Sequence, residues 1–433
     1  MTRKLTIYRW LIYGSLLPAY FIVMLHRYSL GVVQNDLNEV FNMSAVAFAS
    51  LGSMYFYAYM IMQIPTGILV DTRGVRVTVS VGMLLAGAGS ILFANTASIY
   101  LIFLARLLIG TGVSVVFISI LKILSNWFSV KDFGVMTGVT SALGCLGGIL
   151  SQSPFAVLIT MFSWRRVFLF IGLITLLAAF LCFIIVRNKP EDVGLMPVDR
   201  GLETEEEKQK IDVKKALKEI ICNRYSWPPF IFFACFSGVY QSFAGLWGPA
   251  YIMNVYGMDK ITATNYMLLV FIGFAIGGIV VGKLSNTRFK RKKSMILFGG
   301  LYLASWVFLV IINKGKPPVE TLGCLLFAIG FSCSVVVLSW ACGKDVNNPG
   351  YEGISMSFVN FGGFLGSAVV PIFLGLVMDR YKYILNAQQL YNKVFTYCLI
   401  SVVFGFIITF FIKEHGQSST VPGKARTCGG NLQ

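Results

Sequence analysis

Arg27 lies deep in the apolar stretch 7–34 of this chain, and its chemistry is the first thing the sequence offers. A guanidinium inside such a run is costly unless it faces a bundle interior or a water-filled cavity. No acidic residue lies well inside the apolar runs to pair with it, because Asp36, Asp345 and Glu352 fall near run ends. An unpaired buried cation is a ready anion anchor; the alternative is that Arg27 bonds to backbone carbonyls or snorkels outward. Amide and aromatic residues are candidates to complete the cavity. Tyr55, Tyr59 and Gln63 share one face at i, i+4 and i+8, and Tyr240, Gln241, Trp340 and Asn360 lie in later runs. Each alone is as consistent with packing as with ligand contact. Lys122 stands nearer the end of its run, where snorkelling and binding are equally open.

Enzyme chemistry finds no footing. His26 and His415 are the only histidines, and neither HExxH nor GxSxG occurs. The stretch Gly277-Gly-Ile-Val-Val-Gly282-Lys283 imitates a phosphate-binding loop, but Leu284 replaces the required Ser or Thr. The cysteines, including Cys145, Cys182, Cys235 and Cys333, lie mostly in apolar segments without CxxC pairing, and read as small hydrophobes. No cofactor or metal is expected. With no ATPase domain, any transport must draw on ion or solute gradients.

These residues need elements to hold them. The chain has 433 residues, 56% apolar and 13% charged, with a mean hydropathy of +0.73. That composition places most of the chain in hydrocarbon, and runs of about 20 apolar residues, each enough to cross a bilayer as a helix, recur along it. Spans are expected at 7–34, 45–70, 75–95, 98–127, 133–158, 165–186, 226–254, 262–284, 294–313, 318–342, 352–378 and 391–412. The fold class is therefore all-α membrane protein with twelve transmembrane helices. The expected organisation is a six-helix bundle 1–186, a cytoplasmic linker 187–225, a second bundle 226–412 and a disordered cytoplasmic tail 413–433. Within the linker, the acidic run from Glu203 precedes an amphipathic segment from Ile211, expected to lie on the membrane surface. The first run has no small-residue cleavage site and is read as a span, not a signal peptide.

The net charge of +17 is no sign of a nucleic-acid partner. Arg73, Arg76, the 187–218 segment, the run 288–293 and Lys413 all fall on one side of the spans, which places both termini in the cytoplasm by the positive-inside rule. Arg165 and Arg166 break the trend.

The two halves repeat. Gly67-Ile-Leu-Val-Asp71-Thr-Arg73-Gly74-Val-Arg76 after the second span matches Gly282-Lys-Leu-Ser-Asn286-Thr-Arg288 after the eighth. Gly144 and Gly147 in the fifth span match Gly363 and Gly366 in the eleventh. Parallel repeats with a midplane site between them are a transporter arrangement.

The Gly67–Arg76 segment resembles the signature loop of the major facilitator superfamily. Arg106-Leu-Leu-Ile-Gly110-Thr-Gly112 and Trp164-Arg165 resemble further motifs of that family. The resemblance implies that Asp71, with Gly67, Arg73, Gly74 and Arg76, forms a latch onto the start of the eleventh helix and favours the outward-open state. It implies a conformational or proton-linked role for Arg106. A finer resemblance is to the organophosphate:phosphate antiporters, carried by Arg27-Tyr-Ser-Leu-Gly-Val-Val-Gln-Asn-Asp36, by Lys122 before Asn126-Trp-Phe, and by Lys189-Pro-Glu-Asp-Val-Gly-Leu195. Those antiporters clamp phosphate between two arginines; here the second position is Gln241, and their helix 5 histidine is replaced by Leu143. One Arg with a neutral Gln suits a singly charged or zwitterionic solute better than a phosphate dianion.

The resulting expectation is a secondary transporter of a small organic anion or zwitterion working by alternating access. The alternatives are an organophosphate exchanger or a transporter-like solute receptor. The expected partners are the solute and the lipid bilayer, with no nucleic acid and a monomeric state. The expected location is a multi-pass integral membrane protein, in the inner membrane if bacterial.

Overall fold

A computed structural model describes residues 3–196, 213–285 and 291–413. Among the described residues, ten helices are long and apolar enough to cross a membrane, and two bent pairs bring the number to twelve if each pair counts as one span. We number them α1 (Arg3–Phe41), α2 (Ala45–Ile61 with Gln63–Thr72), α3 (Gly74–Asn95), α4 (Ile99–Trp127), α5 (Val130–Leu150 with Ser153–Phe162) and α6 (Trp164–Ile185). The later six are α7 (Trp227–Tyr256), α8 (Lys260–Ser285), α9 (Arg291–Ile312), α10 (Val319–Asp345), α11 (Glu352–Tyr381) and α12 (Ala387–Thr409).

Prolines explain both bent pairs. A helical proline lacks the N–H for the carbonyl four residues back and collides with it. Pro65 meets Ile61 in this way, where α2 bends by 46°, and Pro154 meets Leu150, where α5 bends by 43°. Most of the helices overrun the expected spans at one end or both, whereas α12 stops short of its expected end. In α1 the helical path includes Arg3 and Lys4 at one end and Asp36 and Glu39 at the other. Apolarity marks the hydrocarbon slab, whereas backbone hydrogen bonding continues into the polar zone.

The first six helices pack on one another and the last six do likewise, α5 lying on α1 and α11 on α7. The repeated glycines make that possible: a Cβ on Gly147 would fall 2.8 Å from Met24 of α1, and one on Gly366 would collide with the Ala234 backbone of α7. The halves meet along α2 and α11, α5 and α8, and α1 and α7. Between them in sequence, the described part of the linker contains the helix Val213–Cys222, which buries Ala216 and Ile220 against α11. The acidic run from Glu203, Asn286, Arg288 and the tail from residue 414 lie outside the described residues.

The helix ends define two faces, a basic face where α1 starts and α12 ends and the opposite one. On the opposite face, the exceptional Arg165 donates to the carbonyls of Ala94 and Thr96 at 2.9 and 2.8 Å. It therefore supplies a cation to the free carbonyls at the end of α3.

Candidate functional site

Regular helix fails where α1 meets α7. Residues Ser29–Val33 of α1 form a 3₁₀ turn and Phe243–Trp247 of α7 form a π turn, and these segments lie against each other. Irregular backbone at membrane depth is tolerated where protein or a cavity surrounds it. A Cβ on Gly31 would stand 2.8 Å from the Gly245 carbonyl and 2.9 Å from that of Leu246, so glycine is what permits this approach.

Beside this crossing is a small cavity of about 10 Å³, room for a single water, lined by Arg27, Phe56, Arg106, Gln241 and Leu246 among others. Arg27 is held by rings from both halves. Its guanidinium carbon is 5.1 Å from the Tyr59 ring, 5.6 Å from Tyr55 and 5.7 Å from Phe364 of α11. Phe364 in turn stacks on Tyr59 at 4.6 Å. Cation–π contacts of this kind contribute roughly 0.5–2 kcal/mol each, increasing with desolvation. Among the described residues, no ion pair involves Arg27, and its Nε has no hydrogen-bond partner. Across the boundary, Gln241 donates to the Tyr28 hydroxyl at 3.2 Å, leaving its own Oε1 without a partner. Arg27 and Gln241 thus bring a guanidinium and an amide from opposite halves to one small cavity.

The other expected ligands are placed variously. Tyr55 and Tyr59 are at Arg27, and Tyr55 donates to the Val23 carbonyl at 3.2 Å. Tyr240 packs on Phe274 with ring centroids 5.0 Å apart, and Trp340 lies edge-on to Phe233 at 5.6 Å. Gln63 and Asn360 are half-buried. Lys122 is not brought to Arg27: its ammonium donates to Asp71 at 2.6 Å on the basic face.

The latch residues surround that pair. Gly74 starts α3 at φ +81°, Arg73 is exposed, and Gly67 has open space around it. Arg76 bonds elsewhere, its Nε donating to the Phe183 carbonyl at 2.6 Å with the guanidinium over the Phe183 ring at 4.5 Å. Asn126 and Trp127 nearby meet Arg187 and Asn188, just ahead of the Lys189-Pro-Glu-Asp stretch. Asn126 donates to the Asn188 carbonyl at 2.9 Å, Trp127 donates to that of Arg187 at 3.1 Å, and Asn188 accepts from the Arg76 N–H at 2.9 Å. Arg187 and Asn188 thereby tie the starts of α3 and the linker to the end of α4.

On the opposite face, bonds from half to half close the protein. Lys260 pairs with Asp36 at 2.5 Å, and Asp379 accepts from the backbone N–H groups of Ala45 and Val46. Sequence reasoning passed over Asp379. Its signal was an acid in the last turn of a helix, where the dipole disfavours negative charge unless another partner is present.

The Major Facilitator Superfamily model matches residues 16–371. The chain belongs to the Major Facilitator Superfamily. Among curated proteins it is similar to the probable L-galactonate transporter of Escherichia coli K12, 24% identical and covering 82% of this chain and 80% of that one. It is likewise similar to the probable galactarate/D-glucarate transporter GudP of Bacillus subtilis 168, 24% identical over 90% of this chain and 88% of that one. Among solved structures, a bacterial homologue of the human lysosomal transporter Spinster, in an inward-facing, unoccupied conformation, superposes with a TM-score of 0.74. It is 15% identical and the match covers 94% of this chain and 98% of that one. Superfamily membership accounts for the twelve spans, the repeat and the signature loop together.

Proposed function

We propose that this protein is a secondary transporter carrying a small organic acid anion across a membrane by alternating access. The segments 1–186 and 226–412 are its two moving bundles, and both termini are cytoplasmic. The observation that carries the reading is Arg27, a guanidinium without an ion-pair partner among the described residues, lining a cavity between the halves with Gln241. A solute bound there touches both bundles, so its binding energy acts on their relative position. The relatives named for L-galactonate and for galactarate/D-glucarate support a hydroxylated sugar acid as the solute class. In this orientation the face closed by the Lys260–Asp36 pair and the Asp379 bonds is the outer one.

The test is uptake of radiolabelled L-galactonate and D-glucarate by proteoliposomes, with glycerol 3-phosphate as the organophosphate comparison. Uptake of the sugar acids is expected, together with its near-loss in Arg27→Lys, which keeps the charge but not the planar fork. Wild-type affinity in Arg27→Ala would overturn the anchor assignment, and binding without uptake would make the protein a solute sensor.

A further inference from the structure

The cavity at Arg27 contains a second cation. Arg106 of α4 is 1% exposed and lines the same space. Its guanidinium carbon is 5.1 Å from the centroid of the Tyr55 ring, the ring that Arg27 approaches at 5.6 Å. One nitrogen donates to the His26 carbonyl at 2.9 Å, while Nε has no partner. Among the described residues no ion pair involves Arg106 either. Two guanidiniums therefore share one tyrosine ring and one cavity with no protein carboxylate paired to either.

We infer that Arg106 is a second anion subsite and that the solute is a dianion, a short dicarboxylate or carboxysulfonate with one acidic group for each arginine. This rests on the reading of the cavity as the solute site. Burying unpaired like charges is unfavourable, and the penalty grows as the site closes and water leaves. A monoanion leaves one positive charge uncompensated, whereas a dianion neutralises both. A zwitterion adds a third cation to the pair and is disfavoured. The expectation of a singly charged or zwitterionic solute counted Arg27 and Gln241 alone, and Arg106 changes that sum.

The experiment measures equilibrium binding by the purified full-length protein of three probes on one carbon skeleton. D-glucarate has two carboxylates, D-gluconate one, and D-glucosaminate is zwitterionic. In wild type, D-glucarate is expected to bind about 10-fold or more tighter than D-gluconate, as a second charge-assisted contact requires, with D-glucosaminate weakest. In Arg106→Gln the preference collapses: D-glucarate weakens about 10-fold while D-gluconate changes less than about 2-fold. Arg106→Lys, which keeps the charge, retains a preference for D-glucarate. Equal weakening of both acids in Arg106→Gln would show a structural or conformational role and overturn the inference. So would equal wild-type affinity for D-glucarate and D-gluconate, a result obtained without any variant and one that leaves the organic-anion reading standing. Failure of wild type to bind any of the three sinks both readings.

Discussion

The Asp379 carboxylate, in the last turn of α11, accepts hydrogen bonds from the Ala45 and Val46 N–H groups at the start of α2, at 3.0 and 2.8 Å. Lys382 adds an ion pair at 3.0 Å. The free N–H groups and dipole of α2 make its start an anion site, here filled by a residue of the other half. Hydrogen bonds to a charged acceptor contribute about 1.5–3 kcal/mol each. Asp379→Asn keeps the shape and removes the charge. It is expected to shift the population towards opening at this face by roughly 10-fold, about 1.4 kcal/mol. The readout is maleimide labelling, from that face, of a cysteine introduced at Leu30. Unchanged labelling would show that the bonds do not hold the face closed.

Asp71 stands at the other end of α2. Its ion pair with Lys122 joins two exposed side chains of the same half, and such pairs are worth about 0–1 kcal/mol. In this conformation Asp71 therefore contributes little, and its role falls in the opposite one, where the start of α11 comes within reach. Asp71→Asn is expected to slow net uptake, leave solute affinity within a few-fold and favour the conformation seen here. Combined with Asp379→Asn, the two shifts should partly cancel in labelling. Collapse of binding in Asp71→Asn with no labelling change would refute the latch.

Gly31→Val tests the crossing of α1 and α7. A side chain here meets the Gly245 and Leu246 carbonyls, which are backbone and cannot swing aside. The variant is expected to fold, because Gly31 contacts the other half, yet to be labelled from the opposite face and to lose uptake. Full uptake would mean that the halves do not need this approach to close.

Coupling is testable at His26. Its side chain is fully buried against Phe168, neither ring nitrogen has a partner, and its own carbonyl accepts from Arg106. A dry ring beside a fixed cation is a poor place for another positive charge. Uptake is expected to follow internal counter-anion and to be indifferent to an imposed pH gradient, with His26→Gln retaining exchange. Concentrative uptake driven by the pH gradient and abolished by His26→Gln would make His26 the proton carrier.

Much of this protein is legible in its sequence because the bilayer constrains the chain locally. Runs of apolar residues mark spans, and the glycine pairs Gly144/Gly147 and Gly363/Gly366 mark equivalent close packings in the two halves. The cost of a charge in hydrocarbon likewise picks out Arg27 from a single position. Which charges share a space is a different matter, because it depends on helices far apart in sequence. The sequence left Lys122 open between snorkelling and solute binding, and the family resemblance implied a conformational or proton-linked role for Arg106. Packing sets Lys122 against Asp71 and brings Arg106, through the Tyr55 ring, to the cavity of Arg27. Asp379 has no meaning until α11 is laid beside α2, since the N–H groups it satisfies belong to residues more than 300 positions away. Spans follow from hydropathy along the chain; partners follow only from the packing of one half against the other.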